Sequence, residues 1–299
     1  MATDGTGSTG RRETAGRPGQ GRALAALLGP AYLWLTVAVF LPLSVMLVFS
    51  VLTEVPIGGR TAEFTLEHYA AFFEKDFYRT LTWRSLRLGI DTTVLCAAIG
   101  FPAALALARA VPGRWREALF LLVVLPFWSN ALVRVFSWTM VFQGNGLVDR
   151  ALRAVFPDSR PMDVLYTYPA IVTGLVHSYL PYMVLTCYLS LQAVDERIVE
   201  AARSLGATGW QIFWRIWLPL GLPGLLTGAV LIFVPVIGSF MEPRILGGRQ
   251  GTVLGTVIED QFTAVFNWPL GAALSFTLLA IVLLAVAVLW PFLRHRVSA

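Results

Sequence analysis

Residues 200–219 read EAARSLGATGWQIFWRIWLP. The first residues favour helix, Gly206 suits the left-handed conformation that ends a helix, and Thr208 can cap a second helix. That second helix carries a stripe of aromatic side chains: Trp210, Phe213, Trp214 and Trp217. The segment from about 192 to 217 therefore predicts a helical hairpin whose second arm runs on into an apolar stretch.

The composition indicates what surrounds this hairpin. The chain has 299 residues, of which 56% are hydrophobic and 14% are charged, and its mean hydropathy is +0.67. A soluble domain of this size needs more charge on its surface. This high hydrophobic and low charged content predicts a helical membrane protein. It excludes outer-membrane barrels, secreted disulfide scaffolds and nucleic-acid binders. We expect no nucleic-acid partner, despite the net charge of +5.

Six stretches of the chain are long and apolar enough to cross a bilayer, which takes about 20 helical residues. They are 24–52, 85–108, 117–142, 166–191, 216–240 and 269–293. We therefore expect an all-α membrane protein with six transmembrane helices in one domain, residues 23–293. The Gly-, Ser- and Arg-rich residues 1–22 predict a disordered cytoplasmic tail, and residues 294–299 predict a short cytoplasmic C-terminus.

The distribution of charge predicts the orientation. With six spans, both termini lie on one side of the membrane. That side, which includes the 109–117 turn and the hairpin, carries 12 basic and 6 acidic residues, whereas the rest of the chain carries 11 and 12. The positive-inside tendency therefore predicts that both termini and the hairpin are cytoplasmic.

The hairpin resembles the coupling segment of permease subunits in binding-protein-dependent ABC importers of the MetI-like type. The signature of that family is EAA, three residues, Gly, nine residues and then Ile-x-Leu-Pro. Every fixed position is matched, by Glu200, Ala201, Ala202, Gly206, Ile216, Leu218 and Pro219. Three further stretches look like the spermidine/putrescine permeases, specifically the first of their two permease subunits: LPFWSNALVRVFSW (125–138), GLVHSYLPYMVL (174–185) and DQFTAVFNWPLGAA (260–273).

This resemblance implies a multi-pass protein of the bacterial inner membrane that forms a solute pathway with a second, different permease subunit. It also implies an ABC ATPase dimer docked on the hairpin and a solute-binding protein on the opposite face. The chain holds no phosphate-binding GxxxxGK sequence, and its only lysine, Lys75, lies in FFEKDF without a nearby glycine. We therefore expect no catalytic residue, no metal and no cofactor in this chain, with ATP used by the partner ATPase.

Polar residues inside a span are costly and are candidates for the solute pathway or its gate. Asn130 and Arg134 lie four residues apart in the third predicted span, so they share one helix face. Arg134 is eight residues, or about 12 Å, from the outer end of that span, and partial snorkelling to the surface is an alternative explanation. Because an arginine repels a polyamine cation, these residues fit a gate or an inter-subunit hydrogen bond better than a ligand.

Two acidic residues are further candidates for the pathway. Asp91 lies in the second span, with Arg87 and Arg84 four and seven residues before it on the same face. An internal ion pair explains Asp91, and a pathway role is the alternative. Glu242 follows the fifth span, and with Glu259 and Asp260 it can attract a cation, contact the solute-binding protein or simply be solvated.

The cargo is open on the sequence alone. The resemblance implies polyamine, whereas Arg84 and Arg134 also allow the cargoes of related permeases with the same hairpin: phosphonate, ferric ion, sulfate or molybdate. A secondary transporter is a weaker alternative, because it needs acid or histidine relays and only Asp91 and His177 are available. An intramembrane zinc protease needs HExxH, which is absent.

Overall fold

A computed structural model describes residues 20–55, 62–156 and 164–297. The chain divides into two compact units, residues 1–48 and 49–299. Within the described ranges the regular elements are helices, apart from one isolated bridge between Leu52 and Phe64. The predicted all-α fold is therefore confirmed.

The first unit is described through helix α1, Gln20–Ser50, which contains Pro30 and Pro42. Its stretch Leu28–Ser50 is long and apolar enough to cross a membrane. The helix begins at Gln20, within the predicted tail 1–22, and the run RALAALL that follows Gly21 consists of good helix formers. The tail prediction is thus wrong in its last three residues, and residues 1–19 lie outside the described part of the chain.

The second unit contains the other helices. They are α2 (Glu67–Glu74), α3 (Asp76–Arg109), α4 (Gly113–Val124), α5 (Ala131–Phe142), α6 (Leu147–Val155), α7 (Tyr168–Gln192), α8 (Glu196–Ser204), α9 (Gly209–Ile212), α10 (Leu218–Ile237), α11 (Met241–Gly247), α12 (Leu254–Thr263) and α13 (Trp268–Val297). A π-helical segment, Phe213–Trp217, joins α9 to α10, so that Gly209–Ile237 forms one span. Helices α3, α7 and α13 are also long and apolar enough to cross a membrane.

The third predicted span, 117–142, is not one helix. It is broken between α4 and α5, and the two halves are bent by 97°. A 3₁₀ turn, Leu125–Trp128, follows α4, and Asn130 then starts α5 by accepting a hydrogen bond from the Leu132 amide at 2.8 Å. The physical reason is local: Pro126 has no amide hydrogen to continue a helix, and Asn130 is a strong cap for a new one. The third predicted span is therefore a bent pair of helices, and with it the candidate spans number up to six among the described residues.

The centre of the second unit is formed by α3, α7 and α10, which pack against one another. Gly224 on α10 allows a very close approach to α7: a Cβ atom there would collide with the Thr186 carbonyl oxygen and would lie 3.0 Å from the Cys187 Cα. Small residues permit such backbone contact between membrane helices. Cys96 and Cys187 are free and fully buried in this region.

The bounds of the other spans also differ from the prediction. Helix α3 begins at Asp76, whereas the predicted span begins at residue 85. The first turns of α3 are polar, so hydropathy did not include them in the span. The connection after the fifth span contains α11 and α12, which hydrophobic periodicity did not indicate. Helices α3 and α7 terminate at the same end of the bundle, which we call the hairpin end. The other end carries α11 and α12, and we call it the opposite end.

Candidate functional site

The hairpin has the predicted turn and cap. Helix α8 begins after Asp195, whose side chain accepts a hydrogen bond from the Arg197 amide at 3.0 Å. Gly206 has a φ of +82°, in the left-handed region, and the space around its α-carbon is open. Thr208 and Gln211 then form a reciprocal capping box at the start of α9. The turn therefore needs Gly206 for its backbone conformation, not for packing.

The motif residues divide into an exposed group and an attached group. Glu200 and Ala201 on α8 are exposed, and in the described part of the chain Glu200 makes no ion pair. Ala202, Ile216 and Leu218 are half-buried and pack against the core, while Gly206 and Pro219 are exposed. The first half of the motif thus faces outward, and most of the second half anchors the hairpin to the bundle.

Large apolar side chains are exposed beside the motif. Leu205 is 88% exposed and Trp210 is 70% exposed, with Ile198 and Trp214 close to half exposed. We call these four residues the hairpin patch. Large exposed apolar side chains close together in sequence are typical of a site where another protein or a membrane binds.

A second candidate site is a cavity of about 350 Å³ beside the break in the third span. Its lining includes four aromatic side chains, one arginine and one carboxylate: Phe127, Tyr179, Tyr182, Phe240, Arg134 and Glu242. The rings of Phe127 and Tyr182 meet edge-on with centres 4.5 Å apart. We call this space the aromatic cavity.

Glu242 is the acidic group of the aromatic cavity. It lies in the first turn of α11, is 8% exposed, and accepts a hydrogen bond from the Ser239 hydroxyl at 2.7 Å. No ion pair joins it to Arg134 or to another cation among the described residues. The expectation of a solvated loop acid is therefore wrong for Glu242, because α11 folds back and buries it.

Arg134 and Asn130, which are four residues apart, make separate side-chain contacts with the main chain. Asn130 is the cap residue of α5, and its side chain is engaged with the main chain. Arg134 is half-buried, and its Nη1 atom donates to the Pro126 carbonyl oxygen at 2.9 Å. Arg134 thus bonds to the main chain of the 3₁₀ turn that precedes α5, and it also lines the aromatic cavity.

Asp91 lies away from the aromatic cavity. Its Oδ2 atom is 3.5 Å from Nε of Arg87 and accepts a hydrogen bond from the Tyr168 hydroxyl at 2.7 Å. The predicted internal ion pair is confirmed for Arg87, which also lies over the Tyr168 ring. Arg84 instead lines a separate cavity of about 450 Å³ with Arg87 and Arg249, near the opposite end of the bundle.

A second ion-pair cluster lies at the same end. Arg244 of α11 forms ion pairs with Glu259 and Asp260 of α12, both within 2.7 Å. The hydrogen bond to Asp260 raises the pKa of Arg244 above its usual value. Glu259 and Asp260 are therefore paired with an arginine of the same chain, whereas Glu242 forms no ion pair with a described residue.

The structure brings Arg134 and Glu242 to one cavity and leaves Asp91 and Asn130 elsewhere. Sequence reasoning did not single out the aromatic walls. The signal was present in the repeated Tyr of SYLPY, residues 178–182, where Tyr179 and Tyr182 are three residues apart and share a helix face. Their meeting with Phe240 and Glu242 depends on the position of α11, which no local pattern indicates.

Apolar spans, an aromatic cavity between them and an exposed hairpin together are typical of a membrane transport subunit. Residues 100–293 match the family model described as binding-protein-dependent transport system inner membrane component. The chain belongs to this family, and the resemblance expected from the hairpin is confirmed.

Individual relatives refine this assignment. The chain is 34% identical over 255 residues to the spermidine/putrescine transport system permease protein PotB of Haemophilus influenzae, which covers 85% of this chain and 88% of that protein. The PotB protein of Escherichia coli K12 is also 34% identical, over 86% of this chain and 93% of its own length. The molybdenum permease ModB of Mycobacterium bovis is 29% identical, over 83% and 91%.

Solved structures support the same fold. A bacterial ABC transporter for import of alginate has a TM-score of 0.72 at 17% identity, covering 92% of this chain and 96% of that chain. The inward-facing MetNI methionine ABC transporter has a TM-score of 0.54 at 19% identity, covering 73% and 94%. At these identities the likeness establishes the permease fold alone. The chain is thus a multi-pass inner-membrane transport permease.

Proposed function

We propose that this chain moves polyamine cations, such as spermidine and putrescine, as one permease subunit of an ATP-driven importer. The observation that carries the cargo is the aromatic cavity, in which the buried Glu242 carboxylate is paired to no arginine of the described residues. The identity of 34% to two PotB proteins over most of both chains supports the same cargo.

The chemistry of the aromatic cavity fits a flexible primary or secondary ammonium ion. Tyrosine and phenylalanine faces attract cations, and a desolvated carboxylate forms a charge-assisted hydrogen bond with an N–H group. Arg134 opposes tight binding, because it places a positive charge in the same wall. A permease benefits from this balance, since a cation that bound too tightly would not leave the pathway.

We further propose that an ABC ATPase dimer docks on the hairpin, with the exposed motif residues Glu200, Ala201 and Gly206 facing it. The support is the exposed hairpin patch and the unpaired Glu200 carboxylate beside it. A second, different permease subunit and a solute-binding protein complete the importer. No cofactor or metal is required of this chain, and catalysis of ATP hydrolysis belongs to the partner.

We also propose that both termini and the hairpin are cytoplasmic. Single-cysteine labelling tests this directly, because the native Cys96 and Cys187 are fully buried. A membrane-impermeant maleimide should label Leu205→Cys only in inside-out vesicles, and Phe266→Cys only in intact spheroplasts. The reverse pattern would invert the topology.

The experiment for the cargo is reconstitution with the ATPase, second permease and binding protein encoded beside this chain. We expect radiolabelled spermidine to accumulate in proteoliposomes and to stimulate ATP hydrolysis in the presence of the binding protein. Failure of any ATPase to copurify would overturn the importer, whereas a coupled complex that ignores spermidine and putrescine would overturn only the cargo.

A small anion is the second candidate cargo. Arg134 in the cavity wall and the 29% identity to a molybdenum permease favour it. If the cargo is an anion, molybdate or sulfate should accumulate in the same proteoliposomes and stimulate ATP hydrolysis, and polyamine should do neither. The unpaired Glu242 in that wall is the observation that weighs against an anion.

A further inference from the structure

Arg109 is the last residue of α3 and lies where α3, α7 and the hairpin meet. Its Nη2 atom donates to the carbonyl oxygens of Leu191 and Val194, at 2.7 Å and 2.6 Å. These carbonyls lie at the end of α7 and in the link to α8. Because the last carbonyls of a helix have no partner within the helix, an arginine at this position stabilises the end of α7.

The same guanidinium contacts both arms of the hairpin. Its central carbon lies 4.7 Å from the centre of the Trp217 ring, the last residue of the π-helical segment. Its Nη1 atom is 3.8 Å from Oε1 of Glu196, the first residue of α8. One side chain, only 20% exposed, therefore connects α3 to α7 and to each arm of the hairpin. We call this group of contacts the Arg109 junction.

A neighbouring aromatic contact attaches the other end of the π-helical segment to α3. Phe101, about two turns before Arg109, packs edge-on against Phe213 with ring centres 6.0 Å apart. Phe213 and Trp217 are the first and last residues of that segment. Short π-helical segments within α-helices occur frequently at functional sites. Here the irregular segment is held against α3 at both ends, so the hairpin and α3 are expected to move together.

We propose that Arg109 is a positioning residue that transmits movement of the hairpin to α3 and α7 at the same time. This inference rests on the proposed docking of an ATPase on the hairpin. Without this junction, movement of α8 and α9 would pass into α7 and α10 through the main chain, and to α3 only through apolar packing such as that of Phe213 on Phe101. The junction adds a polar connection to α3, which packs against both α7 and α10 in the core.

The side-chain chemistry explains why arginine occupies this position. A guanidinium donates hydrogen bonds in its plane while its face lies over an aromatic ring, whereas an ammonium group has neither the fork nor the flat face. A lysine can still bond one carbonyl and carry the charge. Arg109→Lys therefore separates a simple helix cap, which lysine supplies, from the junction, which it does not.

The experiment compares Arg109→Lys with Arg116→Lys in the complete importer. Arg116 is a matched control, because it is a nearby arginine whose Nη2 donates to a single main-chain oxygen, that of Val111, at 3.3 Å. The readouts are ATPase copurification, basal ATP hydrolysis, hydrolysis stimulated by the loaded binding protein, and solute accumulated per ATP. Thermal melting of each complex in detergent reports on folding.

We expect Arg109→Lys to melt normally, to retain the ATPase and to keep its basal hydrolysis, while solute accumulated per ATP falls about tenfold. Arg116→Lys should match the unaltered protein. Trp217→Leu should reproduce the loss, and the double variant should be no worse than either single variant, because both changes break one connection.

Three results would overturn this inference. Full coupling in Arg109→Lys would show that a helix cap is sufficient, and additive losses in the double variant would show that Trp217 acts separately. Loss of ATPase copurification from a normally melting Arg109→Lys complex would assign Arg109 to docking instead. If the unaltered chain itself retains no ATPase, the proposed function fails before Arg109 is tested.

Discussion

Neutralising Glu242 should impair polyamine transport selectively. Glu242→Gln keeps the shape of the side chain and an oxygen that can accept the hydrogen bond from Ser239, which lies 2.7 Å away. It removes only the negative charge from the wall of the aromatic cavity. We therefore expect a correctly inserted and folded permease that takes up spermidine slowly.

The size of the effect follows from the dimensions of the cavity. A sphere of about 350 Å³ has a radius of about 4.4 Å, and we take this as the separation between a bound ammonium group and the Glu242 carboxylate. At an effective dielectric constant of about 20 the attraction is roughly 3.8 kcal/mol, or about 600-fold, and in bulk water it is roughly 0.9 kcal/mol, or about fivefold. Uptake by Glu242→Gln should fall within this range.

The assay is initial uptake of radiolabelled spermidine by proteoliposomes that contain the complete importer. Glu67→Gln is the matched control, because it removes one carboxylate from an exposed position in the first turn of α2. Glu242→Asp should restore part of the uptake, since it restores the charge. Unchanged spermidine uptake in Glu242→Gln would refute the electrostatic argument and remove Glu242 from the pathway.

Three further substitutions test other parts of the structure. Gly206→Pro should leave the chain in the membrane but abolish ATPase copurification and uptake, because proline cannot adopt the positive φ of the turn; normal uptake would remove the hairpin from the mechanism. Gly224→Ala should lower the melting temperature, at a cost of about 1–3 kcal/mol from overpacking, whereas Gly113→Ala, which meets open space, should not. Arg134→Ala should reduce uptake more than membrane insertion, with Arg150→Ala as an exposed control; if only insertion fell, the role of Arg134 would be structural.

The features that were predicted from the sequence depend on neighbouring residues. The positive φ of Gly206 and the cap by Thr208 follow from side-chain chemistry within a few positions, and the structure has both. Apolar runs likewise indicate spans, because each helix must satisfy its own backbone hydrogen bonds in lipid. The ion pair of Asp91 with Arg87 needs only helical spacing.

The features that were missed depend on tertiary packing or on competition between local signals. The run 117–142 is mostly apolar, so hydropathy predicts one helix, and the break at Pro126 and Asn130 is decided by backbone hydrogen bonding. The burial of Glu242 depends on how α11 folds back towards α7. Sequence spacing carries no information about such contacts between distant segments.

The bend of 97° in the third span also has a consequence for hydration. Main-chain groups between two helices cannot face hydrocarbon, since lipid offers them no hydrogen-bond partner. A segment without helical pairing at membrane depth is stable only beside protein or water. The bend should therefore lie beside protein or water, and deuterium exchange of the Ser129 and Asn130 amides, at the junction of the 3₁₀ turn and α5, should be faster than that of α7 and α10.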